Sequence, residues 1–308
     1  MGNSGKWIVG IVAGFAGLAF LVMSLSFFLL ITAVTSESTT DTVEDTYGGA
    51  GSERVAIVQI SSTIVESEDI IRQLRKYRKR SSVKAIVLRL DSPGGAVVPS
   101  HEIWEEVRRT RSYGKPVVAS MGSVAASGAY YIACGADVIV ANPGTITGSI
   151  GVISQFASFQ QLLEKIGIES TTIKSGEFKD TGNPSRRMRP EEIEYLQRTI
   201  DNVYEQFVDI VARGRDMAPD SVRVLADGRI YTGQQAYKNG LVDTLGTLYT
   251  AIRIAGNLGK IKGEPRVMQE KEKETLLDIL VGTRARRSIE QMGTQVQPGG
   301  PLEYRMHY

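Results

Sequence analysis

The sequence predicts an α/β protein with a largely parallel sheet, and three observations predict it. Short runs rich in β-branched and apolar residues recur at Val55–Ile60, Val83–Leu90, Pro116–Met121 and Val138–Ala141. Segments of helical spacing lie between them, and alternation of this kind implies parallel strands joined by right-handed crossovers. A glycine-rich turn, SPGG at 92–95, follows a strand-like run, at the C-terminal strand end where open α/β sheets place their sites.

Each element has a local reason. VAIVQI at 55–60 reads as a strand. Glu66–Arg80 places Ile70, Ile71, Leu74 and Tyr77 at helical spacing. Its basic end, RKYRKR, suits a helix C-terminus and solvent better than nucleic acid. Val83–Leu90 enters the turn at Asp91, and a helix is expected over Ser100–Tyr113. Strand Pro116–Met121 leads into a short helix from Ser127 to Gly135. Further strands are expected at Val138–Ala141, Ile150–Ser154 and Ser170–Ile173, with a helix at Phe159–Ile166. Pro190-Glu-Glu has the chemistry of a first helical turn, so Pro190–Arg213 is expected helical, followed by short helices at Val222–Ala226, Gly233–Lys238 and Thr247–Leu258.

The termini differ in character. Trp7–Val34 has 28 residues without a charge, and ~20 apolar residues span a bilayer. Lys6 precedes the run, while Glu37, Asp41, Glu44 and Asp45 follow it. Positive flanks stay in the cytoplasm, which puts the bulk of the chain outside. Ala33–Ser36 is a weak cleavage site, the signal-peptide alternative. The expected organisation is an anchor (1–35), a flexible acidic and glycine-rich tether (36–54), a catalytic domain (55–262) and a C-terminal extension (263–308). Within that extension Leu276–Met292 is a candidate amphipathic helix. The closing PLEYRMHY is either a frayed end or a segment that docks in a groove of its own or a neighbouring subunit.

Composition narrows the function. With 36 basic and 34 acidic residues, the net charge of +2 offers no global attraction to nucleic acid. The single cysteine, Cys134, excludes an intrachain disulfide, and its setting in YYIACGA reads as buried. The sequence holds no metal-ligand cluster, Walker motif or dinucleotide fingerprint, so no cofactor is expected.

Ser127 lies among Ala125, Ala126, Gly128 and Ala129 at a strand-to-helix corner, where small neighbours let a carbonyl approach its hydroxyl. Taken alone, a serine at a helix start is an N-cap. A serine needs a base to become a nucleophile, and the chain has two histidines, His101 and His307. Lysine is the alternative. Lys179 in SGEFKD is the candidate base, with Lys174 a rival that spacing does not separate. A lysine acts as a base only when desolvated or near other cations; Arg186 and Arg187 would help and Asp180 would oppose. Ser149, in TGSIG, is the candidate to orient the amine, or else a turn residue in a glycine-flanked loop. The Gly94 N–H, with that of Ser127 or its successor, would form an oxyanion hole. A triad of Ser127 with His101 and Asp91 is the competing arrangement.

The ordered motifs DSPGG (91–95), MGSVAASGAYY (121–131), TGSIGV (147–152) and SGEFKD (175–180) resemble the signal peptide peptidase A (SppA) family of membrane-anchored bacterial serine–lysine proteases. The resemblance covers Val55–Leu258. It implies a Clp protease/crotonase-like spiral of ββα units, and subunits assembled into an octamer-like dome with enclosed sites. It further implies Ser127 as nucleophile, Lys179 as general base, Ser149 orienting the lysine and the Gly94 N–H on the oxyanion. Expected substrates are remnant signal peptides, cut outside the cytoplasm. Ala129 stands where the family often has glycine, and Asp91 where it often has asparagine. Alternatives within reach are a serine–lysine protease dedicated to one membrane-protein partner, a crotonase-like acyl-thioester enzyme, and a non-catalytic scaffold.

Overall fold

The computed structural model describes residues 51–272 throughout, residues 42–49 and 303–305, and positions 17, 20, 21, 23 and 24. The chain divides into two compact units, Met1–Val43 and Glu44–Tyr308. In the first, the five described positions near the N-terminus are helical. Among the described residues no helix is long and apolar enough to cross a membrane; the anchor expected at 7–34 lies almost wholly outside them, as does the helix expected at 276–292.

The second unit is a mixed α/β body on a mostly parallel sheet, in the order β1-β10-β2-β3-β5-β6-β9. The strands are Thr42–Gly48 (β1), Arg54–Ser61 (β2), Val83–Ser92 (β3), Gly94–Ala96 (β4), Val117–Ala126 (β5), Val138–Ala141 (β6), Ile146–Gly148 (β7), Ile230–Thr232 (β8), Thr244–Leu245 (β9), Arg266–Glu272 (β10) and Glu303–Arg305 (β11). The described helices are Glu68–Lys79 (α1), Val97–Ser112 (α2), Gly128–Ala133 (α3), Gln160–Lys165 (α4), Pro190–Arg215 (α5), Pro219–Leu225 (α6), Gly233–Lys238 (α7) and Leu248–Leu258 (α8).

Burial on both faces explains why β2, β3 and β5 are nearly continuous apolar runs. Ala56, Val58, Ile86, Leu88 and Leu90 share one core with Leu74, Tyr77, Ile103, Tyr131 and Phe207 from the helices. Val55, Ile57, Ala85 and Val87 face the other core, closed by Ala251, Ile252 and Ala255 of α8. The basic face of α1 is paired internally: Arg72 and Lys76 reach Glu270 at 3.2 and 2.7 Å, and Arg75 and Arg78 reach Glu106. Ion pairing takes up three of the five cations of RKYRKR, Arg75, Lys76 and Arg78.

β5 is long enough to pair two strands in succession on one side. Val118–Ser120 pair with β6, and Val124–Ala126 pair with β7. The Thr145 and Thr147 hydroxyls donate to the Gly122 and Ala125 carbonyls, each at 2.7 Å, and hold the second pairing. β7 then pairs antiparallel with β8.

Four expectations are corrected. The strand expected at Ile150–Ser154 forms earlier, as β7, because Ser149 takes φ 49° and ends it. Ser170–Ile173 forms no strand; it lies exposed, without a neighbouring edge to satisfy its backbone. The tether at 36–54 contains β1, Thr42–Gly48, which lies beside β10 in the sheet. The catalytic body does not stop at 262: β10 pairs parallel with β2 and buries Val267 and Met268. The closing segment, expected either to fray or to dock, pairs through β11 antiparallel with β4.

Candidate active site

Three strand ends meet where chemistry was expected. The register sets Ser92 against Ala125 and Ala126 against Gly148. The C-terminal ends of β3, β5 and β7 therefore bring the 92–95 turn, Ser127 and Ser149 to one edge of the sheet.

Ser127 joins β5 to α3 with φ 53° and ψ −116°, a conformation that costs a non-glycine residue about 1–3 kcal/mol. Its backbone is fully engaged: the N–H donates to Gly148 O and the carbonyl accepts from Tyr131 N, both at 2.8 Å. Its Oγ is buried and has no hydrogen-bond partner. A capping serine would turn its oxygen to an N–H of the first helical turn; Ser127 makes no such bond. The N-cap reading fails on geometry. What is left is an idle hydroxyl on a strained backbone, walled by the buried Ala125, Ala126 and Ala129.

The neighbouring turn needs its glycines. Gly94 sits at φ 105°, and a Cβ on Gly95 would lie 2.0 Å from Ile64 O. Gly94 O accepts from Ile64 N at 2.9 Å and Ala96 N donates to Ile64 O at 2.8 Å. Strand alternation then turns the Gly95 groups the other way, to the side where Tyr304 of β11 is its register partner. The Gly94 N–H is held by Ser92 Oγ at 3.1 Å. Of the expected oxyanion donors, Gly94 is thus engaged by Ser92 and Ser127 by Gly148. The Gly128 N–H, first in its helix, has no intrahelical partner.

Ser149 is buried, with its N–H donating to Arg229 O at 2.9 Å. Lys179 is not brought to it. The lysine lies in an exposed turn at the end of an arm, residues 155–179, that is exposed almost throughout, and its ammonium has no hydrogen bond or ion pair among the described residues. Lys174 differs: its Nζ donates to Asp180 Oδ1 at 2.5 Å and to Glu177 O at 2.7 Å. The triad alternative has no geometry behind it. His101 Nδ1 is 2.7 Å from the Tyr131 hydroxyl, and Asp91 Oδ1 accepts from Val124 N at 3.0 Å. Burial pushes the Cys134 thiol up to about 12, so it is an inert core residue, as read from sequence. Among the described residues no cluster of His, Cys, Asp or Glu could hold a metal.

Sequence reasoning missed two polar groups, one at the Ser127 edge and one beneath the Lys179 turn. Ser92 passes for an ordinary turn residue in SPGG. Glu192, read only as part of a favourable first turn, is fully buried and reaches back to the Arg189 N–H at 2.8 Å; Pro-Glu-Glu signals the helix start but not the burial.

Fold and site together define an α/β peptidase with a serine at the strand-to-helix corner. Known proteins agree. The Clp protease family model matches residues 38–147 and the peptidase family S49 model matches residues 109–262. A putative protease of Synechocystis sp. is 44% identical over 207 residues, covering 67% of this chain and 74% of the relative. A putative signal peptide peptidase SppA of Enterococcus faecium is 36% identical over 224 residues, covering 68% and 64%. Protease 4 of Haemophilus influenzae is 37% identical over 214 residues, and the match spans 35% of its length. The chain belongs to peptidase family S49, the serine peptidase family of the SppA and protease 4 proteins.

Proposed function

We propose that the chain is a membrane-anchored serine endopeptidase that degrades signal-peptide remnants and other apolar or unfolded peptides outside the cytoplasm, through a Ser127–Lys179 dyad. One observation carries the reading: Ser127 holds a buried, unpartnered hydroxyl on a strained backbone at a sheet edge lined by glycine turns. The names of the relatives, signal peptide peptidase and protease 4, support peptides as the substrate class, and the uncharged run at 7–34 supports the anchor.

The substrate binds as a strand. β11 lies antiparallel along β4 with Tyr304 opposite Gly95, and a peptide in its place would use the same main-chain groups. Neutral Lys179, oriented by the Ser149 hydroxyl, takes the Ser127 proton as Oγ attacks the peptide carbonyl. The Gly94 N–H leaves Ser92 Oγ for the oxyanion, and the Gly128 N–H joins it; one such donor contributes about 3–4 kcal/mol to the transition state. Protonated Lys179 hands its proton to the leaving amine, and water hydrolyses the acyl-enzyme with the same lysine as base.

Lys179 reaches Ser127 from a second copy. The arm that carries it exposes Phe159, Leu162, Ile166, Ile168 and Ile173, the last 97% exposed. An apolar stretch of this extent marks a contact surface, and a head-to-tail contact repeated around a ring closes a chamber. Co-expressing full-length Ser127→Ala and Lys179→Ala chains tests this. Random pairing would return roughly a quarter of the sites to activity; no recovery, with both chains assembled, would place the dyad within one subunit.

A further inference from the structure

The turn that carries Lys179 hangs on one carboxylate. Glu192, in the first turn of α5, is 0% exposed. It accepts from both guanidinium nitrogens of Arg186, at 2.6 and 2.8 Å, and from the Arg189 side chain at 3.1 Å and backbone N–H at 2.8 Å. Each arginine extends the hold to a residue near Lys179. Arg186 donates to the Asp180 carboxylate at 2.9 Å and the Asp180 carbonyl at 3.1 Å. Arg189 donates to the Glu177 carboxylate and carbonyl, both at 3.0 Å. Lys174 takes the remaining oxygen of Asp180.

A buried carboxylate is unfavourable unless it is fully paired, and this one, through Arg186 and Arg189, ties down the residues on both sides of Lys179. The arm leading into the turn is exposed, and beside the charged network the turn has the Phe178 ring on Tyr195 of α5, 5.4 Å between centroids. The network also settles a local conflict of charge. Asp180 follows Lys179 directly and would pair with a free ammonium, but both of its oxygens are occupied by Arg186 and Lys174. The Arg186 guanidinium holds the Asp180 and Glu192 carboxyls well below the usual carboxylate range, so both stay ionised and keep their grip.

We propose that Glu192 and Arg186 are positioning residues for Lys179: the buried carboxylate grips Arg186, Arg186 turns Asp180 away, and the turn presents an unpaired amine. The inference rests on the reading of Lys179 as the general base.

The test measures kcat and KM for an apolar fluorogenic peptide, together with amide hydrogen exchange, on the full-length chain in detergent. The variants are Glu192→Gln, Arg186→Gln, Arg186→Lys and Lys179→Ala. The expected result is a fall in kcat on the order of 10- to 100-fold in the first three, with KM within about twofold because β4 holds the substrate. Exchange rises across residues 174–183 and stays unchanged in α5 beyond its first turn. Arg186→Lys keeps the charge without the bidentate fork, and it decides the matter if Glu192→Gln does not fold. Wild-type kcat in the Glu192 and Arg186 variants, with Lys179→Ala inactive, overturns the positioning role and leaves the dyad standing. Exchange rising throughout the body, with kcat and KM both altered, shows ordinary structural support and overturns it too. An active Lys179→Ala removes the dyad reading itself.

Discussion

The backbone N–H of Ser127 donates to the carbonyl of Gly148 at 2.8 Å. That bond sets the serine beside Ser149, spends the Ser127 amide, and leaves its hydroxyl with nothing to do in the isolated chain. Both serines sit at positive φ, 53° and 49°, so two strand ends are bent to bring them to one edge. Strain of this kind persists where the surrounding structure imposes it and function uses it.

The first prediction concerns that strain. Ser127→Gly relieves the backbone and is expected to raise stability by about 1 kcal/mol while abolishing cleavage. Ser127→Ala is expected to abolish cleavage without the gain, because alanine keeps the Cβ. Chemical denaturation of both variants beside wild type checks this, and equal stability of the two would contradict it.

Gly95 tests the strand on which the substrate is proposed to lie. Its substitution by alanine puts a Cβ 2.0 Å from Ile64 O, against backbone that cannot yield without moving β4. We expect kcat/KM to fall at least about 100-fold through displacement of the oxyanion turn. Circular dichroism should show the sheet intact. Wild-type kcat/KM would remove β4 from the substrate site.

The tail should compete with substrate, since β11 occupies the β4 edge. Deleting residues 298–308 is expected to lower KM several-fold with little change in kcat, the pattern for removal of an intramolecular competitor. Unchanged kinetics would reduce the β11 pairing to a packing detail.

Acid should loosen the Lys179 turn before it unfolds the sheet. Glu192 has an ordinary value of 4.5, and the Arg186 guanidinium holds it well below that in the folded chain. A lowered folded value means that the unfolded chain binds the proton first. The stabilisation is complete above the ordinary value and is lost as pH falls from there through the folded one. Thermal melts of wild type between pH 6 and about 3 should therefore fall more steeply than those of Glu192→Gln. Parallel curves would show that the carboxylate contributes nothing to acid sensitivity.

The fold was legible where burial dictates sequence. β2, β3, β5 and β6 announce themselves because both faces are covered and the apolar runs are unbroken. The helices α1, α2 and α5 do so through one apolar stripe, with acidic first turns in α1 and α5. β7, β8 and β9 are two or three residues long, too short for a period, and depend on neighbours distant in sequence. β1 at the sheet edge and β10 beside it are rich in polar residues and look like linker until paired. At the site, small residues around Ser127 and glycines at 94 and 95 were readable because only those residue types fit. The choice between Lys174 and Lys179 was not, since it depends on which amine Asp180 holds. The burial of Glu192 depends likewise on arginines folding back over it.

Cleavage of a synthetic signal peptide by the assembled full-length chain bears most directly on the central claim. Wild type is compared with Ser127→Ala, Lys179→Ala and His101→Ala. The account predicts that the first two lose at least about 1,000-fold in kcat, and that His101→Ala, whose ring meets Tyr131 rather than Ser127, keeps its rate within a few-fold. An inactive His101→Ala beside an active Lys179→Ala would contradict it.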